Sequence, residues 1–143
     1  MSFRDIISAS GSGASAQNIR LNTIASNLAN ADSVSGSASE TYKARNPVFA
    51  AALQDARDSF AMPTPGQPLG VRVLGIVEDK APLQPEHAPH HPLADENGFI
   101  YRSNVNPINE MANMIDASRS FQINIDMIDM VKNLHQKSLT MGQ

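Results

Sequence analysis

A chain of 143 residues has the length of one domain. With 41% hydrophobic residues but only 5% aromatic and no tryptophan, it predicts a modest core. A net charge of −3 and a pI of about 5.7 argue against a nucleic-acid binder, which would carry a basic patch or stripe. The absence of cysteine excludes disulfides, thiolate metal sites and cysteine nucleophiles.

The opening "MSFRDIISASGSGASAQ" has one arginine and a lone apolar pair, Ile6-Ile7, which predicts no cleaved secretory signal. No later segment reaches the roughly twenty apolar residues that a membrane span needs. The expectation is a soluble, not membrane-spanning chain. It either stays in the cytoplasm or leaves by a route that uses no ordinary signal peptide.

Residues 1–31 read as an N-terminal helical domain. Ser2 is the expected cap, with Asp5 three residues on in a capping-box arrangement. Phe3, Ile7, Ser10, Ala14, Gln17, Leu21, Ile24 and Leu28 recur at alternating steps of four and three, the spacing of a coiled-coil seam. The seam weakens through "SASGSGASAQ", whose two glycines each destabilise a helix by about 1 kcal/mol. Alone in water this segment is expected to fray.

Residues 32–105 change character. "ADSVSGSASE" reads as a flexible loop of small residues, and strands are expected in "TYKARNPVF", "GVRVLGIV" (with a break at Gly75) and "GFIYR". "MPTPGQPLG" and "EDKAPLQPEHAPHHPLADENG" are too rich in proline for a helix or a central strand. This zone is expected to be a small β-rich insertion with long surface loops.

Residues 106–143 give the last element. Asn106 is a good N-cap and Pro107 suits the first helical position. Glu110 and Asp116 fall early while Lys132 and Lys137 fall late, as the helix dipole favours. A helix from Pro107 to Thr140 would be about 50 Å long. Ile108, Met111, Ile115, Ser118, Phe121, Ile125 and Ile128 form one apolar stripe; Ile123, Met127, Met130 and Leu134 form a second. One partner helix covers one stripe, so the second implies another surface, most economically another chain. The fold class expected is mainly α with a small β-rich insertion, its long terminal helices paired as a coiled-coil-like hairpin.

Chemistry finds little support. His87, His90 and His91 lie close together, and three imidazoles can hold zinc. They sit among Pro85, Pro89 and Pro92 with no HExxH helix, so a solvated loop is the better reading and no metal or other cofactor is expected. Asp95 and Glu96 are neighbouring carboxylates in a turn, and no serine lies in a GxSxG elbow. No catalytic residue is assigned, and the chain is not expected to be an enzyme. Two other readings are a cytoplasmic helical adaptor gripping a client through its Met-rich C-terminal helix, and a small metalloenzyme built on the three histidines.

"SGSGASAQNIRLNTIASNLANADS" resembles the N-terminal signature of the bacterial flagellar rod, hook and filament-axis proteins. "EMANMIDASRSFQINIDMIDMVKNLHQKSLTMGQ" is similar to that family's C-terminal signature, including the aromatic-Gln-x-Asn element, here Phe121-Gln122-Ile123-Asn124. Phe121 stands where tyrosine is common. The short length, "ADSVSG", "HPLADENGFIY" and "SNVN" point to a proximal-rod member, although Ser103 stands where proline often precedes "NVN". The resemblance implies a structural subunit exported unfolded through the flagellar type III apparatus and polymerised in the periplasm as part of the basal body. Its terminal helices would pair and stack on neighbouring subunits in a shaft that carries torque from motor to hook. The implied partners are itself, other rod subunits, basal-body ring or adaptor proteins and the export apparatus, with no nucleic acid.

Within that reading, Phe3, Ile7, Leu21, Ile24, Leu28, Ile108, Met111, Ile115, Phe121, Ile125, Ile128 and Leu134 are expected to pack between helices or subunits. At 100° per residue Leu21, Ile24 and Leu28 share one side of the first helix, with Asn18, Asn22, Asn27 and Asn30 assigned to the other half. Amides donate and accept hydrogen bonds without a charge to desolvate. These four, with Gln122 and Asn124, are therefore expected to form a polar interface between subunits.

Overall fold

The computed structural model describes residues 3–53 and 68–141. In chain order the elements are α1 (Phe3–Ala29), β1 (Val34–Ser35), β2 (Arg45–Leu53), β3 (Pro68–Glu78), β4 (Gln84–His87), β5 (Phe99–Arg102) and α2 (Pro107–Thr140). Two long helices thus bracket a β region. β1, β5 and β4 form an antiparallel sheet in that order, while β2 and β3 form a separate two-stranded ribbon.

The strands expected from alternation are present, and two further ones lie where the sequence reads as loop. β4 falls inside the proline-dense stretch, with Pro85 opposite Tyr101. It is tolerated because β4 is an edge strand, where one neighbour alone needs hydrogen bonds and a missing N–H is harmless. β1 is only a two-residue pairing, Val34 with Arg102 and Ser35 with Tyr101, too short to register as periodicity. β3 runs through Gly75 without a break. Ser2, the expected helix cap, lies outside the described residues.

The chain forms two compact units, and the boundaries cut through both helices. One unit combines Arg20–Pro47 with Ile76–Asp116. Its core holds Ile24, Ala44, Ile100 and Val105, together with the polar residues Thr23, Asn27, Thr41, Ser103 and Glu110. The loop between β4 and β5 is closed by Asp95, whose Oδ1 accepts hydrogen bonds from the Asn97 and Phe99 N–H groups at 2.9 and 2.8 Å. Gly98 there has φ +77°, a left-handed conformation that glycine adopts at no steric penalty.

The other unit combines Met1–Ile19, Val48–Gly75 and Ala117–Gln143. Small side chains dominate its buried positions: Ser10, Ala14 and Ala16 on α1, and Ala117 with Val131 on α2. Such residues let backbones approach closely. A Cβ built on Gly13 would stand 2.8 Å from Asn124 Oδ1, so a larger residue would displace that side chain. Ser12 Oγ accepts the Val71 N–H at 3.0 Å and donates to the Ala9 carbonyl at 2.8 Å, which ties the start of β3 to α1. Phe3 meets the His135 ring with centroids 5.8 Å apart.

Helix faces and polar joints as a candidate assembly site

α2 begins as its sequence dictates. Asn106 Oδ1 accepts hydrogen bonds from the Ile108 and Asn109 N–H groups at 3.0 and 3.3 Å, satisfying two of the donors that a helix start leaves open. The three residues before it are equally committed. Ser103 is buried and its Oγ accepts the Val105 N–H at 3.2 Å. Asn104 Oδ1 accepts the Ala44 N–H at 2.7 Å while its Nδ2 donates to the Ala81 carbonyl at 3.1 Å. Val105 enters the core. "SNVN" is therefore a structural joint in which each residue has a separate task.

The inward face of α2 differs in register from the longer apolar stripe. Glu110, Ala117 and Val131 are buried, and Met114, Phe121, Asn124, Ile125 and Ile128 are half-buried. Ile108, Met111 and Ile115 instead stand 78%, 53% and 60% exposed. Rotation by about 100° per residue explains the difference, since Met111 and Ile115 each follow an inward residue by one position. Ile123, Met127, Met130 and Leu134 are also exposed. On α1, Ile24 is buried, Leu21 and Leu28 are half-buried, and Phe3 and Ile7 are exposed.

The asparagines divide. Asn18 and Asn22 are exposed, and Asn30 is half-buried with its Nδ2 donating to the Ser26 carbonyl at 2.8 Å. On α2, Gln122 is exposed and donates to Asp126 Oδ1 at 2.8 Å, while Asn124 donates to the Ser120 carbonyl at 2.8 Å. Asn27 departs from the expected outward set, because it has no exposed surface at all. Its Oδ1 accepts the Tyr42 hydroxyl and the Arg45 N–H, both at 2.9 Å. Its Nδ2 donates to the Arg45 carbonyl at 2.8 Å and to Glu110 Oε2 at 3.1 Å. Asn27 lies only about 60° around the helix from Ile24, on the flank of the buried sector, so it turns inward.

The sequence does not show this joint, because its members are far apart along the chain. Glu110 reads as a dipole-compensating residue of the first turn, and Tyr42 and Arg45 as strand residues. The Tyr42 hydroxyl is pushed above the ordinary tyrosine range by burial first; the neighbouring Arg45 charge opposes the shift, and Glu110 and Glu78 reinforce it. Arg45 also contacts the Tyr42 ring at 5.4 Å and pairs with Glu78 at 3.2 Å.

His87 packs edge-on to Phe99 with centroids 5.1 Å apart, and His91 Nδ1 accepts the Leu93 N–H at 3.2 Å. Among the described residues, no group of three or more histidines and carboxylates converges as a metal site would. No helix among them is long and apolar enough to cross a membrane.

Residues 7–36 match the family described as "Flagella basal body rod protein", and residues 96–141 match "Flagellar basal body rod FlgEFG protein C-terminal". Full-length relatives named flagellar basal-body rod protein FlgC occur in Yersinia enterocolitica, at 44% identity over 144 residues, and in Salmonella typhimurium, at 42%. A further one from Escherichia coli O157:H7 is 39% identical. Each alignment covers 100% of both chains.

Proposed function

This chain belongs to the FlgC family of flagellar basal-body rod proteins, and from that premise we propose that it polymerises through its terminal helices. It is a structural subunit of the basal-body rod and not an enzyme. The observation that carries the assembly reading is the apolar surface left on α2. Ile108, Met111, Ile115, Ile123, Met127, Met130 and Leu134 all stand more than 40% exposed. Single exposed apolar residues are ordinary on a soluble domain, but rows of them along a 34-residue helix mark a contact surface.

In this reading the helices pair in a coiled-coil-like arrangement, with Leu21, Ile24, Leu28, Phe121, Ile125 and Ile128 between them. Phe3, Ile7, Ile108, Met111, Ile115 and Leu134 meet other subunits, and the exposed amides Asn18, Asn22 and Gln122 hydrogen-bond at those contacts. The neighbours are copies of this chain, other rod subunits, and ring or adaptor proteins of the basal body. The subunit leaves the cell through the flagellar type III apparatus without a cleaved signal and assembles in the periplasm. The finished rod carries torque from motor to hook.

A Met111→Asp, Ile115→Asp double variant tests the central point. Both positions are exposed, so the purified variant is expected to keep wild-type helix content by circular dichroism. In a strain lacking its own copy it is expected to abolish swimming in soft agar while protein levels stay normal. Wild-type swimming would remove this face of α2 from the assembly surface.

A further inference from the structure

The loop between β4 and β5 carries a reactive pair that the assembly surface does not use. Asn97 alone among the asparagines of the chain is followed by glycine. In an unstructured peptide that pair loses its side-chain amide more readily than any other. The glycine nitrogen, with no Cβ beside it, reaches the asparagine carbonyl carbon unhindered. Asn97 is exposed, so backbone geometry is what restrains the reaction here.

The fold demands the glycine. Gly98 has φ +77°, and a Cβ there would stand 3.1 Å from Pro89 Cβ and 3.3 Å from Pro89 Cα. The turn that requires Gly98 also ties it down. Its N–H donates to the Asp95 carbonyl at 3.0 Å, and its own carbonyl accepts the Ala88 N–H at 2.9 Å. Asp95 Oδ1 holds the N–H groups on either side, those of Asn97 and Phe99. To bring the Gly98 nitrogen over Asn97 Cγ, the chain must rotate about the Asn97 Cα–C bond and break the Gly98 bond to Asp95. The nitrogen must also give up its proton, and the developing negative charge would lie beside the Asp95 carboxylate.

We propose that Asn97 is a site of spontaneous deamidation, open in the unfolded chain and closed by the folded turn, with Asp95 as the positioning residue that closes it. Once the turn opens, the Gly98 nitrogen attacks Asn97 Cγ. The new N–C bond replaces the bond to Nδ2, which leaves as ammonia carrying the amide proton. Water then opens the cyclic imide at either carbonyl and gives aspartate or isoaspartate. Water is consumed and ammonia released, with no change of oxidation state and no further reactant. Isoaspartate routes the main chain through the side-chain methylene. The extra backbone atom displaces Gly98 from Asp95 and disturbs the turn that sets His87 opposite Phe99. A chain held unfolded acquires this lesion and a promptly folded one escapes it, so position 97 records time spent unfolded.

The test uses the full-length purified chain, incubated folded and in guanidinium chloride at one pH and temperature. Peptide mass spectrometry follows conversion at position 97, and an isoaspartyl carboxyl methyltransferase detects the rearranged product. In denaturant Asn97 is expected to be the first asparagine to convert. In the folded chain the rate is expected to fall by at least about tenfold, because cyclisation waits on local opening of the turn. Asp95→Ala is expected to restore most of that rate and to lower the hydrogen-exchange protection of the Gly98 amide, with helix content unchanged. Asp95→Asn, which keeps an acceptor oxygen, is expected to stay near the parent. Equal rates in the folded and denatured parent would overturn the proposal, as would an Asp95→Ala chain that converts as slowly as the parent. Loss of helical signal in Asp95→Ala would make Asp95 a support of the whole fold instead of a local shield, and would equally overturn it. No flagellum enters the measurement, so its failure stands apart from that of the assembly reading.

Discussion

Asn27 shows how one side chain can organise a segment of protein. Isosteric replacement by aspartate removes both donors and sets a carboxylate beside Glu110. Leaving buried polar partners unmatched and adding a charge there destabilises a fold by on the order of 3 kcal/mol. Asn27→Asp is therefore expected to lower the urea midpoint strongly, whereas Asn22→Asp, at an exposed position, shifts it little. Equal midpoints would show that the buried amide carries no special burden. Tyr42 adds a pH signature. Its folded pKa is raised by burial, so the unfolded chain loses the phenolic proton first as pH rises. The stabilisation is complete below the ordinary tyrosine value of about 10 and is lost as pH climbs through the higher folded value. Urea denaturation as a function of pH is expected to show falling stability above about pH 10, with a shallower fall in Tyr42→Phe.

At the scale of elements, the two glycines of α1 have opposite roles despite lying two residues apart. A Cβ on Gly11 would meet nothing within 4 Å, while one on Gly13 would press on Asn124. Gly11→Ala is expected to stabilise the chain by up to about 1 kcal/mol through helix propensity alone. Gly13→Ala has the same propensity gain, but must shift the Asn124 side chain, whose Nδ2 bonds the Ser120 carbonyl. Melting temperatures of the two variants should therefore move apart, and identical shifts would refute the close approach at Gly13. The same contrast shows what the sequence makes legible. Both helices follow from periodicity, and α2 also from its dipole residues and from Asn106, which caps it as its residue type predicts. β4 was hidden because proline on an edge strand obeys a different rule from proline in a central one. The inward face of α2 was hidden because Glu110, a charged residue, takes a core position that a hydrophobic pattern assigns to its neighbour. Periodicity finds elements; partners far along the chain decide which face turns in.

On the scale of the molecule, the placement of polar joints predicts uneven stability. α1 is anchored near its end by Asn27, while its first half rests on small side chains and on exposed Phe3 and Ile7. In the isolated chain, hydrogen exchange is expected to be slowest around Thr23–Asn27 and fastest before Ser10, with ordering of that first half completed on assembly. This narrows the fraying expected for the whole N-terminal segment to the part before the Asn27 joint. Uniform protection along α1 would contradict it. Leu28, half-buried, is correspondingly expected to lose less on truncation to alanine than the roughly 2–5 kcal/mol of a fully buried leucine.

The ring contact between Phe3 and His135 has one more implication. It brings the beginning of the chain beside its closing helical turns, within one unit. A short glycine-serine linker could therefore join the ends, with new ends opened at the exposed Asp79–Lys80 segment that follows β3. Such a circular permutant should retain the helix content and the Asn27 joint. What it would lose is a free N-terminal segment, and any cellular machinery that reads the chain from that end would no longer find it.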